Sequence, residues 1–217
     1  MTIHDLVRNG DVDGIKHFIA TGGNINEVDK LKRTSLHMAA WTGNFEVFQI
    51  LVRANAKMDL KAMDDFTVLH FAAQSSNPEA SYCIKLISQK AKHLLNYRVS
   101  KGQKTALQLA ASKGNLNTVR ALLESGCDRC TKTSTGQTAA ELATTEEVRE
   151  LILNFDPTTN RLNESDEDGE IDLAVADTFD QAQSVGEAAV GCVPASIEES
   201  DHLISNAELG TKRKRIE

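Results

Sequence analysis

Thr34-Ser35-Leu36-His37-Met38-Ala39-Ala40 returns 33 positions later as Thr67-Val68-Leu69-His70-Phe71-Ala72-Ala73. Backwards, the register aligns His4 with His37 and His70, and Gly10 with Gly43. Forwards it gives Thr105-Ala106-Leu107-Gln108-Leu109-Ala110-Ala111, 38 residues on, and then Thr138-Ala139-Ala140-Glu141-Leu142-Ala143. A recurring period near 33 marks stacked supersecondary units, none of which can bury its apolar face alone. Function in such an array is sought on a shared surface before any pocket.

The unit from Asp29 to Lys57 shows the local physics. Thr34 is placed to cap a helix, its hydroxyl accepting a free amide of the first turn. Leu36 to Ala40 gives a short helix whose two alanines permit close helix contact. Gly43-Asn44 ends it, because Gly accepts the positive φ of a tight reversal. Phe45, Val47, Phe48, Ile50, Leu51 and Val52 then supply the wide apolar face of a second helix. Asn55 to Asp59 reads as a turn-prone link to the next cap.

These residues resemble the ankyrin repeat, with its T-P-L-H-x-A-A helix start, its x-x-G break and its V-x-x-L-L second helix. The resemblance implies an all-α solenoid of helix-turn-helix units with hairpin loops, in repeats of about 1–28, 29–61, 62–99, 100–132 and 133–154. No unit has Pro after the capping Thr; Ser35, Val68, Ala106 and Ala139 stand there, so the helix starts are expected to be less rigid. The first unit is expected to lack the cap and opens at Ile3-His4-Asp5. The third carries about five extra residues, around Ser75 to Glu79 and near Asn96. The fifth is short, and Val148, Leu151, Ile152 and Phe155 give it one capping stripe.

The texture changes from residue 155 to residue 217. Thr158 to Thr211 holds few large apolar residues, and Asn163 to Glu170 is densely acidic. Such a segment cannot bury enough apolar surface to offset its ordering entropy, which predicts a disordered acidic tail. Residues 1–155 carry 19 Lys/Arg and 16 Asp/Glu, net +3, whereas residues 156–217 carry 5 and 15, net −10. Residues 80–123 contain no acid, so the second half of the array is basic.

Met1-Thr2-Ile3-His4-Asp5 leads straight into the first unit, so no export signal is expected. No apolar run reaches the ~18 residues of a membrane span. Cys83, Cys127, Cys130 and Cys192 make no extracellular framework, and reduced thiols in the nucleus or cytoplasm are expected.

The resemblance makes Thr34, His37, Thr67, His70 and Thr105 structural, each His joining its cap hydroxyl to a carbonyl of the neighbouring unit. Gln108 and Glu141 replace that His later, which argues against a metal ladder. Cys127-Asp128-Arg129-Cys130 has zinc or redox spacing but no second pair, and Cys127 aligns with the small residue Ala56. No metal or cofactor site is expected, and no catalytic residue is assigned.

Trp41 falls where the resemblance places the concave groove, with Met63 and Phe66 on the next finger and Tyr97 on the lengthened one. Trp is a rigid, high-area contact residue. Lys85, Lys90, Lys92, Arg98, Lys101 and Lys104 either form a solvated face or steer an anionic partner. That partner could be an acidic protein segment, the chain's own tail or nucleic acid. Nucleic acid fits least, since the array is only weakly basic and has few rings. Lys212-Arg213-Lys214-Arg215 has the form of a nuclear import signal, and Ser165 before Asp166-Glu167-Asp168 that of an acidophilic kinase site. Together these point to a monomeric, non-enzymatic regulatory adaptor or inhibitor for a protein partner, nuclear and linked to transcription or chromatin. A nucleic-acid-associated protein using the basic face of residues 85–120 and a thiol or zinc subunit using Cys127 and Cys130 are the alternatives.

Overall fold

A computed structural model describes residues 2–156. The acidic tail, Ser165, Cys192 and the basic cluster Lys212 to Arg215 lie outside these residues.

Among the described residues nine α-helices form: α1 (Ile3–Asn9), α2 (Val12–Ala20), α3 (Ser35–Thr42), α4 (Phe45–Arg53), α5 (Val68–Gln74), α6 (Ala80–Lys90), α7 (Ala106–Lys113), α8 (Leu116–Glu124) and α9 (Glu146–Asn154). They pack in two rows. An inner row runs α1, α3, α5, α7, and an outer row runs α2, α4, α6, α8, α9. The inner row packs closely because Ala39, Ala40, Ala72, Ala73, Ala110 and Ala111 are all fully buried along it. Between the rows sit Leu36, Phe48, Leu51, Leu69, Ile84, Ile87, Leu107 and Leu122, each essentially without solvent exposure.

Helix ends follow from the same few residues in each unit. Asp11, Asn44 and Asn115 each cap an outer helix by accepting the third helical amide. The preceding Gly10, Gly43 and Gly114 are left-handed, at φ 67°, 68° and 73°. Gly43 is doubly constrained, because a Cβ there would stand 2.5 Å from that of Asn77. Asn77 belongs to the insertion of the third unit, and its amide donates to the Thr42 carbonyl at 3.3 Å. In that unit Ser75 takes over from glycine with an ordinary φ of −64°, and the chain needs the extra residues to reach α6.

Fingers connect an outer helix to the next inner one. Each is a tight turn closed by a backbone bond, such as Asp29 N–H to Arg33 O (2.9 Å) or Ala62 N–H to Phe66 O (2.8 Å). Neighbouring fingers are tied in series by Met63 N–H to Leu31 O, Ser100 N–H to Asp64 O and Ser134 N–H to Gly102 O. A single isolated bridge, Val28 to Thr34, is the only β pairing among the described residues.

Two features of the end units depart from the sequence reading. The first unit does have a cap: Thr2 accepts the Asp5 amide, and the Asp5 carboxylate accepts the Thr2 amide at 3.1 Å. This closes a capping box one residue later than the register places it. In the fifth unit the stretch after Thr138 makes only a turn. Too few residues remain before Thr144, whose amide and hydroxyl bond back to Ala111 and Ser112 of the fourth unit. Helix α9 then closes the array with Val148 and Ile152 buried.

Candidate protein-docking face

The units are joined by a side-chain arm at one repeated place. His37 Nδ1 accepts the Thr34 amide at 3.1 Å and lies 2.8 Å from the Thr34 hydroxyl; His70 and Thr67 repeat this at 3.3 and 2.7 Å. An accepting Nδ1 leaves the proton on Nε2. In the first unit His4 Nε2 meets the carbonyl of Arg33 at 2.9 Å, and Arg33 immediately precedes the next cap. Phe66 holds that place beyond His37, and Lys104 beyond His70. Burial pushes each ring's pKa down to about 4, and the Leu60 and Phe66 carbonyls for His37, or Lys104 and Tyr97 for His70, oppose this. Neither Nε2 completes a hydrogen bond of good geometry.

Gln108 reproduces the arm without a ring. Its Oε1 accepts the Thr105 amide at 2.9 Å, and its Nε2 donates to Thr131 O at 2.7 Å and more weakly to Gln137 O at 3.4 Å. Glu141 keeps only the accepting half, taking the Thr138 amide at 3.0 Å. His37 and His70 therefore occupy equivalent places on neighbouring units, and among the described residues no group of three potential ligands gathers to hold a metal.

With the interior accounted for, the exposed apolar residues stand out. Val28, Leu31, Trp41 and Met63 are each about half exposed. Leu31 and Met63 sit on adjacent bonded fingers, and between them opens a groove of ≈ 310 Å³ lined by Leu31, Ala62, Met63, Phe66, Phe71 and Gln74 with Arg33 and Asp64 at its charged edge. Phe66 and Phe71 of its lining belong to a series of edge-to-face rings that runs inward to buried histidines: His37 on Phe71 (5.2 Å between centroids), Phe71 on Phe66 (5.8 Å) and Phe66 on His70 (5.7 Å). Tyr97 extends the series from His70 at 6.2 Å. Its ring is covered by the Lys61 ammonium at 4.3 Å, which also donates to the Tyr97 hydroxyl at 2.5 Å.

Met63, Phe66 and Tyr97 are thus brought together. Trp41 is not in the groove lining; it is the penultimate residue of α3, at the place that Gln74 holds one unit on at the end of α5. The basic residues divide between two layers. Lys85 is on outer helix α6, 3.7 Å from the Glu124 carboxylate, with Lys90 at the end of that helix and Lys92 in the 3-10 turn that follows. Arg98, Lys101 and Lys104 are on the finger of the fourth unit. Arg98 is engaged there, its guanidinium donating to Gln103 O (3.1 Å) and Lys132 O (2.7 Å). Lys101 is exposed and Lys104 half-buried.

In the C-x-x-C segment Cys127 is taken up by packing, whereas Cys130 is disulfide-bonded, which corrects the expectation of reduced thiols at that position. Cys127 is a free, buried thiol that donates to Leu95 O at 3.6 Å, and burial raises its pKa to about 12. The Asp128 carboxylate turns the loop by accepting the Cys130 amide at 2.8 Å and the Thr131 hydroxyl at 2.7 Å. Arg129 reaches the end of α9, donating to the carbonyls of Ile152 and Phe155 at 3.0 Å each. A buried thiol with a raised pKa is a poor nucleophile and metal ligand.

Sequence reasoning passed over Leu31, Phe71 and Gln74. The available signal was departure from the repeat: Leu31 aligns with Asp64 and Gly102, Phe71 with Met38 and Leu109, and Gln74 with Trp41 and Ser112, while the caps stay Thr. In an array, positions that packing does not constrain are those left to contact something else.

Two rows of helices, bonded fingers and a repeated polar arm define a solenoid of helical hairpins. A family profile described as ankyrin repeats (3 copies) matches residues 3–90 and 81–161, and the chain belongs to the ankyrin-repeat family. Inversin of Mus musculus is 30% identical over 102 residues, 46% of this chain and 10% of inversin. The mitochondrial disaggregase of Bos taurus is 26% identical over 148 residues, 68% of this chain and 22% of that protein. The ankyrin repeat and KH domain-containing protein mask-1 of Caenorhabditis elegans is 31% identical over 134 residues, 62% of this chain and 5% of mask-1. The chain therefore spans about a tenth of the inversin it matches. Ankyrin repeats are protein-interaction modules, and that coarse function applies to this chain.

Proposed function

We propose that the chain is a non-enzymatic adaptor or inhibitor that holds a protein partner across its fingers and inner helices. The observation that carries this is the groove between the second and third fingers, where Leu31 and Met63 stay about half exposed beside the packed rings of Phe66 and Phe71. Exposed apolar side chains clustered over a concavity mark an interaction site. Lys101 and Lys104 on the next finger favour a partner that is acidic beside its apolar anchor. Trp41, in the unit before, widens the face on its other side. The outer-row Lys85, Lys90 and Lys92 act as a solvated face, and the protein works as a monomer in the nucleus or between nucleus and cytoplasm, with Lys212 to Arg215 as its import signal.

The test is recovery of bound proteins from cells by the intact chain and by Met63→Glu and Trp41→Ala variants, with Lys90→Glu, Lys92→Glu as the outer-row control. Partners of the groove are lost with Met63→Glu and retained by the control. Loss by the control alone would move the site to the outer row. Nuclear accumulation of a fluorescent fusion should fall when Lys212 to Arg215 are replaced by alanine.

A further inference from the structure

We propose that residues 163–174 of this chain are an internal ligand for the same face, so that the protein competes with its own partner. The inference rests on the groove reading above and concerns its regulation.

The chemistry of the face alternates along the array. In register, Met63 and Phe66 of the third finger stand where the second has Lys30 and Arg33 and the fourth has Lys101 and Lys104, so the apolar anchor lies between two cationic fingers. Within the groove Arg33 is ion-paired to Asp29 at 2.7 Å and shares the lining with Asp64, so the groove itself offers little net attraction for an anion. Cations that draw an acidic strand therefore lie on the fingers at either side, with Lys101 and Lys104 on the one toward the fifth unit.

The chain beyond the array carries an order that matches the step from the fourth finger to the groove. Past Asp156 at the end of the fifth unit comes the acidic run Glu164, Asp166, Glu167, Asp168, Glu170, and then Ile171-Asp172-Leu173. A strand returning along the face from the fifth unit meets the fourth finger first and the groove afterwards. Its acids come first and its two apolar residues second. Ile171 and Leu173 alternate around an acid, so in an extended chain both point to one side. The reach suffices: fifteen residues from Asp156 to Ile171 span up to about 50 Å, against roughly 30 Å for three steps of helix packing at about 10 Å each. Attachment through so short a linker gives an effective concentration on the order of millimolar, enough for a weak internal ligand to occupy the face.

A fluorescein-labelled peptide of residues 160–176 would be titrated, by anisotropy at low and high salt, onto three full-length proteins. These are the intact chain, an Ile171→Ser, Leu173→Ser chain, and that chain with Met63→Glu added. The tail-altered chain should bind the peptide about tenfold more tightly than the intact one, since its own segment no longer competes. Adding Met63→Glu should remove the binding, and salt should weaken it. Equal affinity for the first two proteins, or undiminished binding by the third, overturns the proposal. If the tail-altered chain ignores the peptide yet retains Met63-dependent partners, the tail is not the ligand and the groove reading stands. If neither peptide nor partner depends on Met63, both readings fall together.

Discussion

Acidifying the protein from pH 7 to pH 5 should cost it about 4 kcal/mol of stability through two rings, His37 and His70. Both are buried, at 1% and 0% exposure, and both have pKa values pushed down from 6.5 to about 4 by that burial. For His37 the Asp29 carboxylate opposes the shift and Arg33 adds to it. The folded state keeps the rings neutral, and the unfolded chain protonates below pH 6.5. Stability is therefore fully present above 6.5 and lost as pH falls toward 4. At pH 5 linkage gives roughly 2 kcal/mol for each ring, a large share of the ~5–15 kcal/mol typical of a domain. Asp29 titrates outside this window, its partial burial being outweighed by its bonds to Arg33 and Leu31, which hold it below 3.8. Gln108 supplies the control, since it makes the same two-sided link without a titratable group. Urea unfolding, followed by helix content at pH 7 and pH 5, would compare the native chain with a His37→Gln, His70→Gln chain. The native chain should lose about 4 kcal/mol and the double variant under about 1 kcal/mol. An equal loss in both would refute the assignment of acid sensitivity to these rings.

Further outcomes follow from packing and backbone. Lys32 and Gln103 are left-handed in their fingers, at φ 57° and 52°, whereas Gly136 holds that place in the fifth unit; Lys32→Gly should raise stability by up to about 1 kcal/mol in thermal unfolding. Arg129→Ala leaves the carbonyls ending α9 without their guanidinium, and amide exchange should quicken in 146–154 while the inner row keeps its protection. Cys83 and Cys127, both raised to about 12 by burial, should react with a thiol reagent at neutral pH only at the rate of unfolding. Ala72→Leu, overpacking the seam between α5 and its neighbours, should cost about 1–3 kcal/mol by urea unfolding.

How much could be read without coordinates depended on whether a residue's role repeats. Thr34, Thr67 and Thr105 cap, the alanine pairs pack and Gly10, Gly43 and Gly114 reverse the chain because each unit solves the same problem with the same atoms. Features that occur once were hidden. The fifth unit's missing inner helix is a matter of chain length between Thr138 and Thr144, and its hydrogen bonds go to another unit. Lys85 and Lys101 read as one basic stretch, yet a helix end and a 3-10 turn between them place one on the outer row and the other on a finger. Arg98 read as part of the basic stretch and Arg129 only as a spacer between Cys127 and Cys130; their partners are backbone carbonyls, which carry no sequence signal. Trp41 drew notice by composition, whereas Leu31 and Phe71, ordinary in kind, line the groove.

Glu141 sets a direction on the array. Any internal unit could be duplicated, because each brings both an N–H for its successor and a carbonyl for its predecessor. A sixth hairpin added after the fifth would instead turn a peptide oxygen toward a carboxylate, two acceptors with no hydrogen between them. The molecule thus carries a chemical full stop, and lengthening it by recombination at that end would first require residue 141 to become glutamine or histidine.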